Sequence, residues 1–258
     1  MKILVSNDDG IFHPGLWALV DALIPLGEVV VSAPDRNRSG VGTAMTLHDP
    51  VRVNEVPSPR AGVQAFAVQG TPGDAVVIGL RELAGGPVDA VIAGINPGNN
   101  VTTNVLVSGT LGAAYAGHLN GVPAMAVSVG NGVELPDPTV GKVTAAVAAC
   151  LLEHGDGALI NLNFPWAQDW PLKGCRVTAP APRVLEDRAR KDEEAGQAFY
   201  WLYRGLIEGA DLEALPEECD VVALRHGFVS IGSLAWARNA EHDRDMLKML
   251  AQQAEDAI

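Results

Sequence analysis

"MKILVSNDDG", residues 1–10, is the stretch on which the reading of the chain turns. Ile3, Leu4 and Val5 form a short apolar run, followed by Ser6, Asn7, two adjacent carboxylates at Asp8 and Asp9, and Gly10. A short continuous apolar run predicts a strand over 2–6, buried on both faces as in a parallel sheet. Its exit onto two like charges needs a reason, because neighbouring carboxylates repel. Either both face water, or something positive sits between them.

The same texture recurs outward from this strand. "EVVVSAP" at 28–34, "VDAVIAGIN" at 88–96, "VPAMAVSVG" at 122–130 and "ALINLNFP" at 158–165 predict further strands. "VRVNEV" at 51–56 alternates like a half-exposed strand, and "AFAVQG" at 65–70 follows it. Between them the pattern predicts helices at 15–27, 71–83, 108–119 and 138–154. In the first, Leu16, Val20, Leu23 and Ile24 share one face. The second has Thr71 as N-cap, Pro72 in the first turn and Asp74 three residues after the cap. Strands alternating with helices predict an α/β fold: a Rossmann-like, doubly wound, mostly parallel sheet over residues 1–180.

Beyond 180 the texture changes. "PRVLEDRARKDEEAGQ" is charged and poorly periodic, "AFYWLYRG" at 198–205 looks like a strand, and "LIEGADLEALPEE" is loop-like. "DVVALRHGFVSIGSL" at 220–234 suggests strands, and a helix is expected at 239–255. Residues 181–258 are therefore expected to be an extension of hairpins and a C-terminal helix, used in oligomerisation.

The chain has 258 residues, 48% of them hydrophobic, and a formal net charge of −13. That length supports one large core. The acidic balance argues against nucleic acid polymers and anionic membranes as partners, since no basic run exists to meet phosphates. An acidic protein that handles a small phosphate needs a local cation. Three scattered cysteines (Cys150, Cys175, Cys219) form neither a disulfide framework nor a metal spacing, so a cytoplasmic setting is expected. No signal peptide and no apolar run of membrane-spanning length is evident.

In an open parallel sheet, ligands bind beyond the carboxyl ends of the strands. The first strand ends there in Asp8 and Asp9. The second ends in "APDRNRSG", which carries Arg36, Asn37, Arg38, Ser39 and Gly40. The strand at 88–96 ends in "GINPGNN", with Asn96 and Asn100, and the following helix opens with Ser108, Gly109 and Thr110. Asp8, Asp9, the Ser39 hydroxyl and the Asn96 amide oxygen make an all-oxygen donor set. Such a set selects one divalent cation, Mg²⁺ or Mn²⁺, with Ca²⁺ as an alternative occupant. Helix N–H groups at 108–110, with Gly40, Asn37 and Asn100, are candidate phosphate contacts. Each piece alone has a plainer reading. "NDDG" is a common turn, Ser108 a plain N-cap, and Arg36 and Arg38 solvated charges. His13, His118 and His154 read as incidental. Their convergence on one sheet edge is what points to a site.

"ILVSNDDGIFHPGLWAL", "APDRNRSG", "GTPGDAV", "AGINPGNN" and "VLVSGTLGAA", in this order and spacing, closely resemble the SurE family, the survival protein E nucleotidases. Weaker echoes continue in "GQAFYWLYRG" and "DVVALRHGFVSI". The resemblance implies a cytoplasmic, metal-dependent phosphatase of nucleoside 5′- and 3′-monophosphates, and in some members of polyphosphate. It also implies a homodimer or homotetramer that exchanges elements of the extension, and metal ligands at Asp8, Asp9, Ser39 and Asn96. The chain departs from the family pattern at His13, Thr43, Thr103, Asn104 and Val107, positions that bear on substrate preference and base stacking. On that reading Asp8, Asp9 and Asn96 are catalytic, with Asp8 orienting the attacking water. Tyr200, Trp201 and Tyr203 are candidates to flank the nucleoside, or to pack in core or interface. A non-catalytic nucleotide-binding regulatory module is the alternative, though no metal ligand is lost. A dinucleotide-dependent oxidoreductase is disfavoured, because "NDDGIF" stands where a glycine-rich turn would meet pyrophosphate.

Overall fold

The computed structural model describes residues 1–155, 157–194 and 197–234. The expected helix at 239–255 lies outside them. The predicted strands form where the apolar runs placed them: β1 (Lys2–Ser6), β2 (Glu28–Pro34), β3 (Val53–Glu55), β4 (Gln64–Val68), β5 (Ala90–Pro97), β6 (Ala124–Val129) and β7 (Leu159–Phe164). Helices α1 (Pro14–Leu23), α2 (Pro72–Ile78), α3 (Gly109–Leu119) and α4 (Pro138–His154) connect them. Thr71 and Asp74 close the expected capping box at the start of α2, whose end loosens into a π turn over Gly79–Leu83. The later chain adds β8 (Cys175–Thr178), β9 (Leu185–Glu194), β10 (Gln197–Leu206), α5 (Asp220–Arg225) and β11 (Val229–Ser233).

Nine strands make one sheet in the order β3-β4-β2-β1-β5-β6-β7-β11-β8. From β4 through β7 the neighbours are parallel; β3 runs antiparallel to β4, and β11 antiparallel to β7. Side chains alternate between two cores. Ile3 and Val5 pack with Leu16, Leu19 and Leu151 on the α1/α4 face, while Leu4 packs with Val76, Leu111 and Ala114 on the α2/α3 face. The chain passes from β1 to β2 through α1 on one face, and from β4 to β5 through α2 on the other. Strand order therefore reverses at β1 and β5, and a crevice opens beyond their carboxyl ends. This is the doubly wound, Rossmann-like architecture expected from the sequence.

Three segments differ from expectation. The charged run at 185–194 is a strand, paired antiparallel with β10 in a hairpin apart from the main sheet. Both of its faces meet solvent, so no apolar alternation marks it; cross-strand pairs join it to β10 instead, as where the Arg204 Nε–H donates to Asp187 Oδ1 at 2.6 Å. Residues 220–225 are the helix α5 rather than a strand. Strand β11 then returns to the main sheet, between β7 and β8.

Helix α3 lies close against the loop after β2. A Cβ at Gly112 would overlap the Gly42 carbonyl, and Gly42 N–H donates to the Val107 carbonyl at 3.0 Å. Gly112→Ala is expected to destabilise the fold by about 1–3 kcal/mol, the usual range for overpacking, read as a lower urea midpoint at unchanged slope.

Candidate active site

The site begins with the turn that ends β1. The Asn7 amide bridges it twice, its Oδ1 accepting from Gly10 N–H and its Nδ2 donating to Gly10 O, both at 3.1 Å. Gly10 sits at φ +105°, a conformation that disfavours any side chain. The loop after β2 clasps the same turn: Arg38 N–H donates to the Asp8 carbonyl at 2.6 Å. Asn37 accepts from Ser39 N–H at 2.9 Å and extends its Nδ2 to Asp9 Oδ1 at 3.4 Å.

The two carboxylates have different fates. Asp8 is buried, and its Oδ1 accepts the Thr110 hydroxyl at 2.6 Å. A Cβ at Gly109 would lie 2.7 Å from the Asp8 Cβ, so only glycine lets the first turn of α3 come this close. Burial raises the Asp8 pKa above the usual carboxylate range, an effect opposed by Thr110 and nearby backbone N–H groups. Asp9 has a side chain only 7% exposed, and its buried Oδ2 has no hydrogen-bond partner among the described residues. Burial first, then the Asp8 charge, push its pKa up to about 6, while His13 pulls it down. His13 is the N-cap of α1: its Nδ1 accepts from Gly15 N–H at 3.1 Å and stands 3.8 Å from Asp9 Oδ2.

The pairing of Ser6 with Ala93 brings the end of β5 to the same edge as Asp8 and Asp9. A register shift between Ala93 and Asn96 lies just before Asn96, whose Nδ2 donates to the Gly98 carbonyl at 2.6 Å. Its Oδ1 accepts no hydrogen bond among the described residues. Ser39 and Gly40 are exposed at the mouth. Ser108 caps α3 by accepting from Leu111 N–H at 3.2 Å. Asn100 is different: it is buried, its N–H and Nδ2 donate to Asn163 and Ser128, and its carbonyl accepts from Asn161. Its Oδ1 accepts from Asn104 Nδ2 at 3.4 Å, so the side chain is held within this network. His13, read from sequence as incidental, touches the site; its position four residues after Asp9 and just before Pro14 was the available signal.

No group of three or more His, Cys, Asp or Glu poised for a metal occurs among the described residues. Asp8 and Asp9 stand side by side at the end of β1, and Ser39 and Asn96 lie in the loop after β2 and at the end of β5; carboxylate, hydroxyl and amide oxygens are donors suited to a hard cation. The unpartnered Asp9 Oδ2 beside the Asp8 charge is the atom such an ion would satisfy.

The raised Asp9 pKa has a defined sign for stability. The folded state holds this proton more tightly than the unfolded chain, so the contribution is full below about pH 4 and lost as pH rises through about 6. In the presence of chelator, Asp9→Asn is therefore expected to gain stability over wild type across that window. Discounted for solvent screening, the gain is about 1 kcal/mol by urea unfolding. Added Mg²⁺ or Mn²⁺ is expected to raise the melting temperature of wild type above pH 6 and not that of the variant.

Residues 3–187 match the family model for survival protein SurE. A 5′-nucleotidase SurE from Dehalococcoides mccartyi (strain CBDB1) is 38% identical over 239 residues, 91% of this chain and 88% of the relative. One from Geobacter metallireducens is 40% identical over 241 residues, covering 91% of each chain. The crystal structure of SurE from Aquifex aeolicus superposes with a TM-score of 0.78 at 31% identity, covering 97% of this chain and all of that one. With these matches over most of its length, this chain belongs to the SurE family.

Proposed function

We propose that this chain is a divalent-metal-dependent nucleotidase that hydrolyses nucleoside 5′- and 3′-monophosphates to nucleoside and phosphate, with short polyphosphate as a further substrate. One observation carries the reading: the buried, unpartnered Asp9 Oδ2, next to a second carboxylate, at the switch point of the sheet. The 5′-nucleotidase names of the relatives support the same reading.

One cation per subunit, Mg²⁺ or Mn²⁺, is assigned to Asp8, Asp9, Ser39 and Asn96. When bound it supplies Lewis-acid polarisation of a phosphoryl oxygen and offsets the charge that develops in the transition state. The chain's own groups do the rest. Thr110 fixes the Asp8 carboxylate, which orients the attacking water. The Ser108 oxygen caps α3 and keeps its own proton to donate to a phosphate oxygen. N–H groups at Gly109, Thr110 and Gly40, with the Asn37 amide, are assigned to the remaining phosphate oxygens, where the α3 dipole favours negative charge. Asn100 enters as a positioning residue that anchors the loop after β5.

The extension is assigned to a homodimer or homotetramer. The β9–β10 hairpin stands apart from the sheet and leaves Trp201 and Leu202 at 56% and 82% exposure. A lone two-stranded hairpin is marginal in water, and exposed apolar side chains on both of its faces call for a covering surface. No helix among the described residues is long and apolar enough to cross a membrane. The substrate is a small molecule, handled in the cytoplasm.

The reading is tested by phosphate release from nucleoside 5′- and 3′-monophosphates and tripolyphosphate, with Mg²⁺, Mn²⁺ or chelator. Metal-dependent release that Asp9→Asn lowers by at least about 100-fold is expected. No release with either metal, alongside retained nucleotide binding, would instead leave a regulatory module. In sedimentation experiments the double variant Trp201→Asp, Leu202→Asp is expected to shift the protein to a smaller species without lowering its helix content. An unchanged distribution removes the hairpin from the interface.

A further inference from the structure

We propose that a cavity of about 480 Å³ beside the crevice receives the nucleoside half of the substrate, with Trp166 as the platform for the base. This inference rests on the nucleotidase reading and assigns it a second subsite. The cavity lies at the same carboxyl edge as the phosphate site. Asn99 follows β5, Asn131 follows β6 and Trp166 follows β7, and all three line it. Arg225 of α5 and Arg204 of the hairpin form the opposite wall. The loop 97–107 is shared by both halves: its ends adjoin Asn96 and Ser108, and its middle walls the cavity. Its volume falls in the usual range for small-ligand pockets.

The wall chemistry fits a nucleoside. A base needs a flat apolar face with donors and acceptors at its edge, and a ribose needs polar partners. Trp166 is half-buried, packs against the small apolar cluster of Ala181, Cys219, Val221 and Val222, and supplies the face. The Asn99 amide is fixed by donating its Nδ2 to the Phe164 carbonyl at 2.8 Å, while its buried Oδ1 accepts nothing. That leaves an acceptor suited to an N–H of the base. Thr102 is 1% exposed, and its hydroxyl too is without a partner. It sits at φ +54°, which is costly for a β-branched residue, and is held there by its N–H donating to Asp220 Oδ2 at 2.8 Å. Buried polar atoms without partners, on a strained loop, mark a binding wall better than an unfilled packing seam, where such atoms would be satisfied. The exposed Arg225 has no ion pair or hydrogen bond among the described residues, so its guanidinium is free to donate to acceptors on the edge of the base. Arg204 is already engaged, with its Nη1 donating to Asn104 Oδ1 at 2.9 Å and its other N–H groups to Asp187, and forms a rigid part of the wall.

The test compares nucleoside monophosphates with ribose 5-phosphate, which carries the phosphate and no base. For Trp166→Ala and Arg225→Ala, the ratio of kcat/KM for the best nucleotide to that for ribose 5-phosphate is expected to fall about tenfold. Trp166→Phe, which keeps a stacking face, is expected to retain it. Arg225 is exposed, so its variant keeps the test alive if Trp166→Ala fails to fold. An unchanged ratio in both alanine variants overturns the proposal. A second measurement does not depend on turnover: saturation-transfer NMR of adenosine, guanosine, cytidine and uridine with the full chain in chelator. Base-proton signals that weaken on Trp166→Ala support the subsite even if no nucleotide is hydrolysed, an outcome that would sink the nucleotidase reading alone. Without turnover, base signals that are absent or indifferent to Trp166 overturn the subsite as well.

Discussion

The hydrogen bond from the Thr110 hydroxyl to Asp8 Oδ1 joins the end of the first strand to the first turn of the third helix, across 102 positions of sequence. Burying a carboxylate is expensive unless donors meet it, and a bond to a charged group is worth about 1.5–3 kcal/mol. Here the donors are a hydroxyl and the N-terminus of α3, whose dipole favours a negative neighbour. Gly109 makes the approach close enough, and Gly112 does the same one turn later against the loop after β2. The three loops of the site are thus tied together around the two aspartates by three contacts: α3 against Asp8, the Asp8 carbonyl against Arg38, and Asn37 against Asp9.

That contact also divides the labour of two adjacent and identical side chains. Asp8 is surrounded by donors and is held; Asp9 has the same burial problem with a free oxygen. Charge of one sign is then concentrated at the mouth of a protein that is acidic throughout, so an anion can approach only where something local reverses the field.

Much of the fold was legible because burial on both faces leaves an unbroken signature. Ile3–Val5 and Val29–Val31 read as central strands, and Thr71-Pro72 with Asp74 marked a helix start to the residue. The β9 strand was illegible because neither face is buried. Four apolar residues in a row, Val221 to Leu224, carry no period, so α5 could pass for a strand. In the site, Asp8 and Asp9 were visible through local chemistry, like charges at a strand exit. The network around Asn100 was illegible for the opposite reason: its partners Ser128, Asn161 and Asn163 come from two other strands, and no local pattern announces them. His13 had its signal in spacing alone, and the strain at Thr102 had none, because it is imposed by Asp220 from 118 positions away.

The place of β11 in the sheet bears on how the molecule is made. It lies between β7 and β8 although both precede it in the chain. As the chain emerges from its N-terminus, the strands from β1 to β7 can assemble in order, but β7 then keeps an unpaired edge and β8 has no neighbour to join. Only when Val229–Ser233 arrive does one strand close both gaps. Until then the hairpin hangs from an unfinished sheet with an open edge beside it, the state in which such chains pair with one another. The last strand described is therefore the latch of the fold, the one segment whose pairing closes the β7 edge and seats β8 together.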